Sequence, residues 1–301
     1  MLRPMNTATF TGSGRRKPDP AFVPGTVMSR DKFSLAVCQL RTETEYEATM
    51  AKTESMIQEA AAAGAQVVVL PEMFSCPYDK KYFRVFAEMG HEDSCRRMAD
   101  WAKSSRILLI GGSVPETDGE LLYNTSFVFD AAGQQIARHR KVHLFDVDLP
   151  GMRFHESHTF TPGSEITVFD TVFGRFGLAV CFDVRFPELF RAMARRGAEV
   201  ICLPAQFNMT TGPAHWESTL RTRAVDNEVF FVAASAARYE GFSYECWGHS
   251  MILDPYGTAL AAADEKEQIL LAEINPDRIA AVRAQLPTFL HLREELYSVA
   301  N

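Results

Sequence analysis

From Phe33 onward the chain is a succession of short apolar runs, and no run approaches the roughly 20 residues that a membrane span requires. Phe33–Leu40, Gln66–Leu70, Ile107–Ile110, Thr125–Phe129, Phe176–Val180, Val200–Leu203, Val229–Ala234, Ser250–Leu253 and Ile269–Ile274 are apolar without strict alternation. That pattern predicts strands covered on both faces. Helical spacing intervenes over Glu43–Ala63, ended by Gly64, and over Ser94–Lys103, Pro187–Arg196, Ala214–Asp226 and Pro276–Gln285. Strands interspersed with helices indicate an α/β fold. Two turns, Asp130-Ala-Ala-Gly133 and Asp254-Pro-Tyr-Gly257, join neighbouring runs as hairpins, so the sheets are expected to be mixed.

No linker or low-complexity segment interrupts the pattern after residue 33, and one domain over 33–301 is expected. Residues 1–32 differ: they are rich in Thr, Ser, Gly and Pro, include Arg15-Arg16-Lys17, and predict an extended or mobile arm. Arg3, Arg15 and Arg16 precede the first acid, as in an organelle-targeting segment, but Pro18 and Pro20 break any long amphipathic helix. At 301 residues, with 47% hydrophobic and 23% charged residues, the chain has an ordinary globular composition. Folding should bury roughly three-quarters of its surface.

Lys and Arg number 31 against 38 Asp and Glu, a net charge of -7, which disfavours nucleic acid and acidic membranes as partners. The six cysteines form no CxxC pair and mostly lie in apolar runs, as expected of reduced thiols in the cytoplasm.

Three places set a reactive side chain at the end of a strand, where α/β proteins hold ligands. Glu72 follows an apolar run in Leu70-Pro71-Glu72-Met73-Phe74, Lys141 lies in the basic cluster Arg138–Leu144, and Cys181 ends the run that starts at Phe176. Singly each has an ordinary explanation, as a loop acid, a surface lysine and a buried apolar cysteine. Together they supply a base, a cation and a nucleophile, the minimum set for cysteine-based acyl transfer. No GxSxG, GxxxxGK[ST] or GxGxxG occurs, and serine hydrolysis and nucleotide binding lack support.

The order Glu72, Lys141, Cys181 in the contexts LPEMF, RKVHLFD and LAVCFDVRFPEL resembles the nitrilase superfamily of carbon-nitrogen hydrolases. From Phe33 to the C-terminus, KVHLFDVDLPG, FHES, FNMTTGPAHWE, RAVDNEVF and SYECWGHS are similar to the omega-amidase branch of that superfamily. The resemblance implies a four-layer α-β-β-α sandwich of two mixed sheets, assembled as a homodimer or higher homo-oligomer through its outer helices, with no cofactor and no metal.

It also implies roles. Glu72 takes the thiol proton of Cys181 and later protonates departing ammonia, and water then hydrolyses the thioester. The Lys141 ammonium and the Phe182 backbone N–H hold the oxyanion. Glu156, in FHES, orients Lys141 and the substrate, against the plainer reading of an exposed loop acid. The implied substrates are short dicarboxylic acid monoamides: 2-oxoglutaramate, 2-oxosuccinamate and succinamate. Arg185, four residues after the nucleophile, is a candidate for the distal carboxylate, against an ion pair with Glu188 or Asp183. Thr211 and Tyr244 are candidates for further hydrogen bonds.

Other readings stay open on sequence alone. A nitrilase, an N-carbamoyl amide hydrolase or a deaminated-glutathione amidase would keep Cys181, and a non-catalytic scaffold would keep only the fold. A papain-like pair would use Cys181 with His215 or His249 as base and need no lysine. His139 and His143 have i, i+4 spacing, but on a strand and turn rather than a helix, which disfavours a metal. His215, Trp216 and Glu217 are expected to pack near the pocket rim. Asn124-Thr-Ser and Asn208-Met-Thr match glycosylation acceptors, expected to stay unmodified in an intracellular chain.

Overall fold

A computed structural model describes residues 31–149, 152–239, 244–293 and 296. Residues 1–30 of the expected arm lie outside the described residues.

The first half of the chain runs β1 (Phe33–Gln39), α1 (Tyr46–Ala62), β2 (Val67–Val69), α2 (Lys80–Ser105), β3 (Leu108–Ile110), β4 (Val114–Asp118), β5 (Leu121–Phe129) and β6 (Gln135–Arg140). A small hairpin of β7 (Asp146–Leu149) and β8 (Met152–His155) leads into a 3-10 turn, Glu156–His158. The second half runs β9 (Thr167–Thr171), β10 (Gly174–Leu178), a 3-10 turn over Cys181–Arg185, α3 (Pro187–Arg195), β11 (Val200–Ala205), α4 (Gly212–Asn227), β12 (Phe230–Ser235), β13 (Met251–Leu253), β14 (Ala259–Ala262), β15 (Gln268–Ile274) and α5 (Asp277–Gln285).

Two mixed sheets result. One has the order β15-β1-β2-β3-β5-β4, with β6 also on β5, and the other is β14-β13-β12-β11-β10-β9. β1, β2 and β3 run parallel, as do β10, β11 and β12, while the outer pairs are antiparallel.

Period-two alternation along each strand assigns the layers. Leu35 and Val37 of β1 and Val67 and Val69 of β2 face Phe176, Leu178, Val200, Cys202 and Val232 of the second sheet. Their neighbours Ala36, Cys38 and Val68 face Met50, Ile57, Met98 and Trp101 of α1 and α2. On the far side, Ile201, Leu203 and Phe231 pack against Phe190, Met193, Trp216 and Leu220 of α3 and α4. The architecture is the expected α-β-β-α sandwich. Because both faces of each sheet are covered, the strands read as unbroken apolar runs.

Several elements differ from the sequence expectation. α2 starts at Lys80, well before Ser94, with the Asp79 side chain accepting from the Lys81 backbone N–H at its first turn. The polar stretch around Gly90 hides a periodicity that Phe83, Ala87, Met98 and Trp101 in fact share. β4 escaped notice because Pro115 interrupts it, and it lies at a sheet edge where a missing N–H is tolerated. β7, β8 and β9 carry too few apolar residues to register as strands. Among the described residues no helix is long and apolar enough to cross a membrane, and the six cysteines are free thiols.

The layer between the sheets should dominate stability. Phe176→Ala removes a fully buried ring from it and is expected to destabilise by about 3–5 kcal/mol, whereas Val172→Thr, at 94% exposure on the neighbouring turn, should change stability by less than about 0.5 kcal/mol. Urea melts of both variants check this, and equal effects would contradict the packing described.

Candidate active site

Glu72, Lys141, Glu156 and Cys181 meet where the two sheets end. Glu72 follows β2, in a turn that continues at Met73 with a positive φ of 49°. Ser113 holds that turn: its hydroxyl accepts from the Met73 N–H at 3.0 Å, and its carbonyl accepts from Phe74. Gly112 permits the approach, since a Cβ there would lie 2.2 Å from the Pro71 carbonyl oxygen.

Lys141 extends β6 by one residue, its N–H donating to the Asn124 carbonyl on β5. Alternation splits the basic cluster. Arg138 and Arg140 turn outward and pair with Glu116, while His139 and Lys141 turn inward and are buried. Cys181 lies just beyond β10 at φ 44°, in the left-handed region that costs a non-glycine residue about 1–3 kcal/mol. The first amide groups of the 3-10 turn it opens have no partner within that turn, and the Phe182 N–H is among them.

The Lys141 ammonium donates to Glu72 Oε1 at 2.9 Å and to Glu156 Oε2 at 2.8 Å, and all three side chains are fully buried. Asn124 Nδ2 bridges the same acids, at 2.8 Å from Glu72 Oε1 and 3.2 Å from Glu156 Oε1. Tyr78 and the Phe145 N–H also donate to Glu156. Glu156 is therefore no exposed loop acid.

Glu72 Oε2 is buried without a hydrogen bond of standard geometry, and the Cys181 thiol is close enough to that carboxyl for each to shift the other. The thiol itself approaches the Gln206 carbonyl, Sγ to O 3.6 Å.

Burial lifts the Glu72 carboxyl above the usual carboxylate range, against the pull of Lys141 and with the help of Glu156. Burial works against the Lys141 charge as well, but Glu156 and Glu72 outweigh it and hold the lysine above its ordinary value. Burial and then the Glu72 charge push the Cys181 thiol well up. The resting site is a neutral thiol beside a cation clamped between two acids. A buried carboxyl with raised proton affinity beside the thiol is placed to act as its base.

The carbon-nitrogen hydrolase profile covers residues 34–284. The chain belongs to the carbon-nitrogen hydrolase family. It is 44% identical to omega-amidase NIT2 of Homo sapiens over 268 residues, covering 89% of this chain and 97% of that one, and equally identical to omega-amidase NIT2 of Danio rerio over 269 residues. Among solved structures it is similar to Saccharomyces cerevisiae Nit3, a member of branch 10 of the nitrilase superfamily, with TM-score 0.81, 37% identity and 88% and 97% of the two chains covered. The NitFhit protein of C. elegans aligns with TM-score 0.85 and 32% identity over 90% of this chain and 67% of that one.

In this carbon-nitrogen hydrolase, the other candidates fall as follows. Arg185 lies over the rings of Phe182 and Phe207, at 5.8 and 5.0 Å, and its Nη1 contacts His215 Nδ1 at 3.3 Å. It makes no ion pair with Glu188 or Asp183. The Asp183 carboxylate is occupied by His139 and His143, and burial draws the guanidinium below the usual arginine value while Cys181 and Tyr244 pull it back up. The Thr211 hydroxyl donates to Asn208 Oδ1 at 3.0 Å, and that of Tyr244 to the Gln206 carbonyl at 2.6 Å. His215 sits on the exposed side of α4, and His249 binds the Trp247 carbonyl through Nδ1 and stacks on that ring. Neither histidine is among the partners of the Cys181 thiol, which leaves the papain-like reading without a base.

Sequence reasoning missed Asn124, Tyr78 and Gln206. Asn124 registered only as a glycosylation acceptor, yet it is 1% exposed inside the site. Gln206 Nε2 donates to the Glu72 carbonyl at 2.5 Å and its Oε1 accepts from the Cys246 thiol, while its own carbonyl faces Cys181. A narrow cleft lined by Arg41, Tyr78, Gln206, Tyr239, Tyr244 and Cys246 lies beside the site.

Lys141→Met tests the clamp. Removing the cation leaves two buried carboxylates uncompensated, so a loss of about 3–5 kcal/mol is expected at pH 7.5. Glu72 is already raised, and without Lys141 it rises further. Its native form then keeps a proton that the unfolded chain, with a carboxylate pKa of about 4.3, releases. Stability carried by such a group is present at low pH and lost as pH rises, so the deficit against the wild type should shrink between pH 7.5 and 5.5. Urea melts at the two pH values measure it, and a deficit independent of pH would contradict the clamp.

Proposed function

We propose that this carbon-nitrogen hydrolase is a cysteine-dependent omega-amidase that releases ammonia from short dicarboxylic acid monoamides through a thioester. The observation that carries the mechanism is the buried chain Glu156, Lys141, Glu72, with Cys181 beside Glu72 on a strained turn.

Glu72 takes the Cys181 proton as the sulfur attacks the amide carbon. Lys141 has three ammonium hydrogens, and two serve the carboxylates, so one remains for the oxyanion together with the Phe182 N–H. Collapse of the intermediate expels ammonia, protonated by Glu72, and leaves the acyl group on sulfur. Water then gives a proton to Glu72 and attacks the thioester, and the returning proton restores the thiol. Phe145, Phe182, Tyr78 and Tyr244 wall the site with rings, a low-dielectric surrounding in which the lysine charge acts strongly. The omega-amidase names of the NIT2 relatives support the same reading.

The choice of substrate rests on Arg185. A half-buried guanidinium without an acidic partner among the described residues, electrostatically linked to Cys181 and Tyr244, suits the distal carboxylate of 2-oxoglutaramate, 2-oxosuccinamate or succinamate. Nitriles, carbamoyl amides and deaminated glutathione are the competing substrates. Assembly as a homodimer through the outer helices, and a place in the cytoplasm, belong to the same reading.

Ammonia release from 2-oxoglutaramate, succinamate, glutamine, deaminated glutathione, an N-carbamoyl compound and a nitrile tests the proposal. The two monoamides are expected to lead, and Cys181→Ala is expected to abolish turnover in a folded protein, with the acyl adduct of the wild type on Cys181 alone. Residual turnover in that variant would exclude the mechanism. Arg185→Ala should lower kcat/KM for succinamate by about 10²-fold while butyramide changes little. If the two substrates fall together, Arg185 serves the turn after Cys181 and not the carboxylate.

A further inference from the structure

The base and the lysine come from the ends of β2 and β6 in one sheet, and the nucleophile comes from the end of β10 in the other. The apolar layer between the sheets holds them together but is non-directional, and cannot by itself fix the distance from Lys141 to Cys181. Two buried groups cross that boundary beside the reacting atoms: Gln206, which donates to the Glu72 carbonyl, and Asp183, which reaches the strand and turn that carry Lys141. Asp183, two residues after Cys181, is fully buried and accepts four hydrogen bonds. Its Oδ2 takes the Val180 N–H at 2.9 Å, on the nucleophile's own turn, and His139 Nε2 at 3.1 Å. Its Oδ1 takes the His143 N–H at 2.9 Å and His143 Nδ1 at 2.8 Å.

His139 and His143 stand two residues either side of Lys141. His139 is tied back to the second sheet a second time, its Nδ1 lying 2.9 Å from Thr167 Oγ1 at the start of β9. His143 is held flat against Phe186, with ring centroids 3.6 Å apart. We infer that Asp183, gripped by His139 and His143, is a positioning residue that sets the Lys141 ammonium against the Cys181 sulfur and the Phe182 N–H across the inter-sheet boundary. The inference rests on the amidase reading for its activity readout, and none of the three residues touches the substrate in it. The strained φ at Cys181 gives the tie a function: a turn in a sparsely populated conformation persists only where its surroundings over-determine it, and the Val180–Asp183 hydrogen bond does so.

The test separates the hydrogen bond from the ring. In His143→Ala the side-chain donor is lost, and in His143→Asn an amide Nδ2 stands close to the place of imidazole Nδ1. With succinamate, His143→Ala is expected to lose about 10-fold in kcat with KM within about twofold of the wild type, because misplacement acts on the transition state. His143→Asn should recover most of that loss. Asp183→Asn, which sets an amide N–H against a donor whichever way it is turned, should lose about 10²-fold in kcat. Alkylation of Cys181 by iodoacetamide, followed by mass spectrometry, needs no cognate substrate and should slow in the same order across the three variants.

Equal kcat values in His143→Ala and His143→Asn, whether both normal or both impaired, would overturn the tie, as would a folded Asp183→Asn with wild-type kcat. Should Asp183→Asn fail to fold, the His143 pair alone decides. If the wild type releases no ammonia from any amide while alkylation follows the expected order, the substrate reading fails and the tie stands.

Discussion

An ammonium buried between two carboxylates is the interaction on which the rest of this structure depends. Lys141, Glu72 and Glu156 have no solvent contact, and taking three charges out of water costs several kcal/mol each before their mutual attraction is counted. The site is tolerable because almost every polar atom has a partner: Asn124 spans both acids, and Tyr78 and the Phe145 N–H complete Glu156. The exceptions are Asn124 Oδ1, on the bridging amide, and Glu72 Oε2, on the carboxyl that borders the thiol. A buried oxygen without a good hydrogen bond is normally a defect. On the proposed mechanism Glu72 Oε2 is the atom that must be open to a proton.

Such a cluster needs a frame that can be both dry and rigid. Two sheets covered on both faces supply it, since four layers set the strand ends deep beneath loops and aromatic side chains. The frame also divides the chemistry, because the cation and base ride on one sheet and the thiol on the other. Polar links across the boundary, from Gln206 to the Glu72 carbonyl and from Asp183 to His139 and His143, supply the direction that apolar packing lacks.

The frame was legible in the sequence for the same reason that it is dry. Strands covered on both faces read as unbroken apolar runs, and Glu72 and Cys181 stand at the ends of such runs, whereas Lys141 follows the mixed strand β6. Edge elements were illegible because they lack that signature: β4 contains Pro115, and β9 is half solvated. The first half of α2 was lost behind the polar residues around Gly90. Within the site, Glu72, Lys141, Glu156 and Cys181 were visible through their motif contexts, whereas Asn124, Gln206 and Asp183 were not. Their importance lies in partners 52, 134 and 44 residues distant, and no local pattern announces a contact of that range. His139 and His143 show the converse. Their i, i+4 spacing suggested at most a metal on a helix, but on a strand and turn it lets both rings converge on one carboxylate.

Charge balance links the cluster to the choice of substrate. The Lys141 ammonium is already answered by the Glu72 and Glu156 carboxyl groups, so the cluster has no cation to spare for a further acid. A neutral amide or a nitrile would ask for none and gain nothing from a guanidinium nearby. An omega-monoamide brings a negative charge into a buried region rich in acids, and there it is costly unless a cation answers it. Arg185 is such a cation: it is half-buried, stacked on Phe207, without an acid of its own among the described residues, and within electrostatic reach of Cys181. A guanidinium kept partly dry with no acid beside it is itself unfavourable, and the bound carboxylate would relieve both penalties together. On the proposed mechanism the cluster serves amide hydrolysis in general, and the proposed preference for a carboxylate-bearing substrate is carried by one arginine outside it.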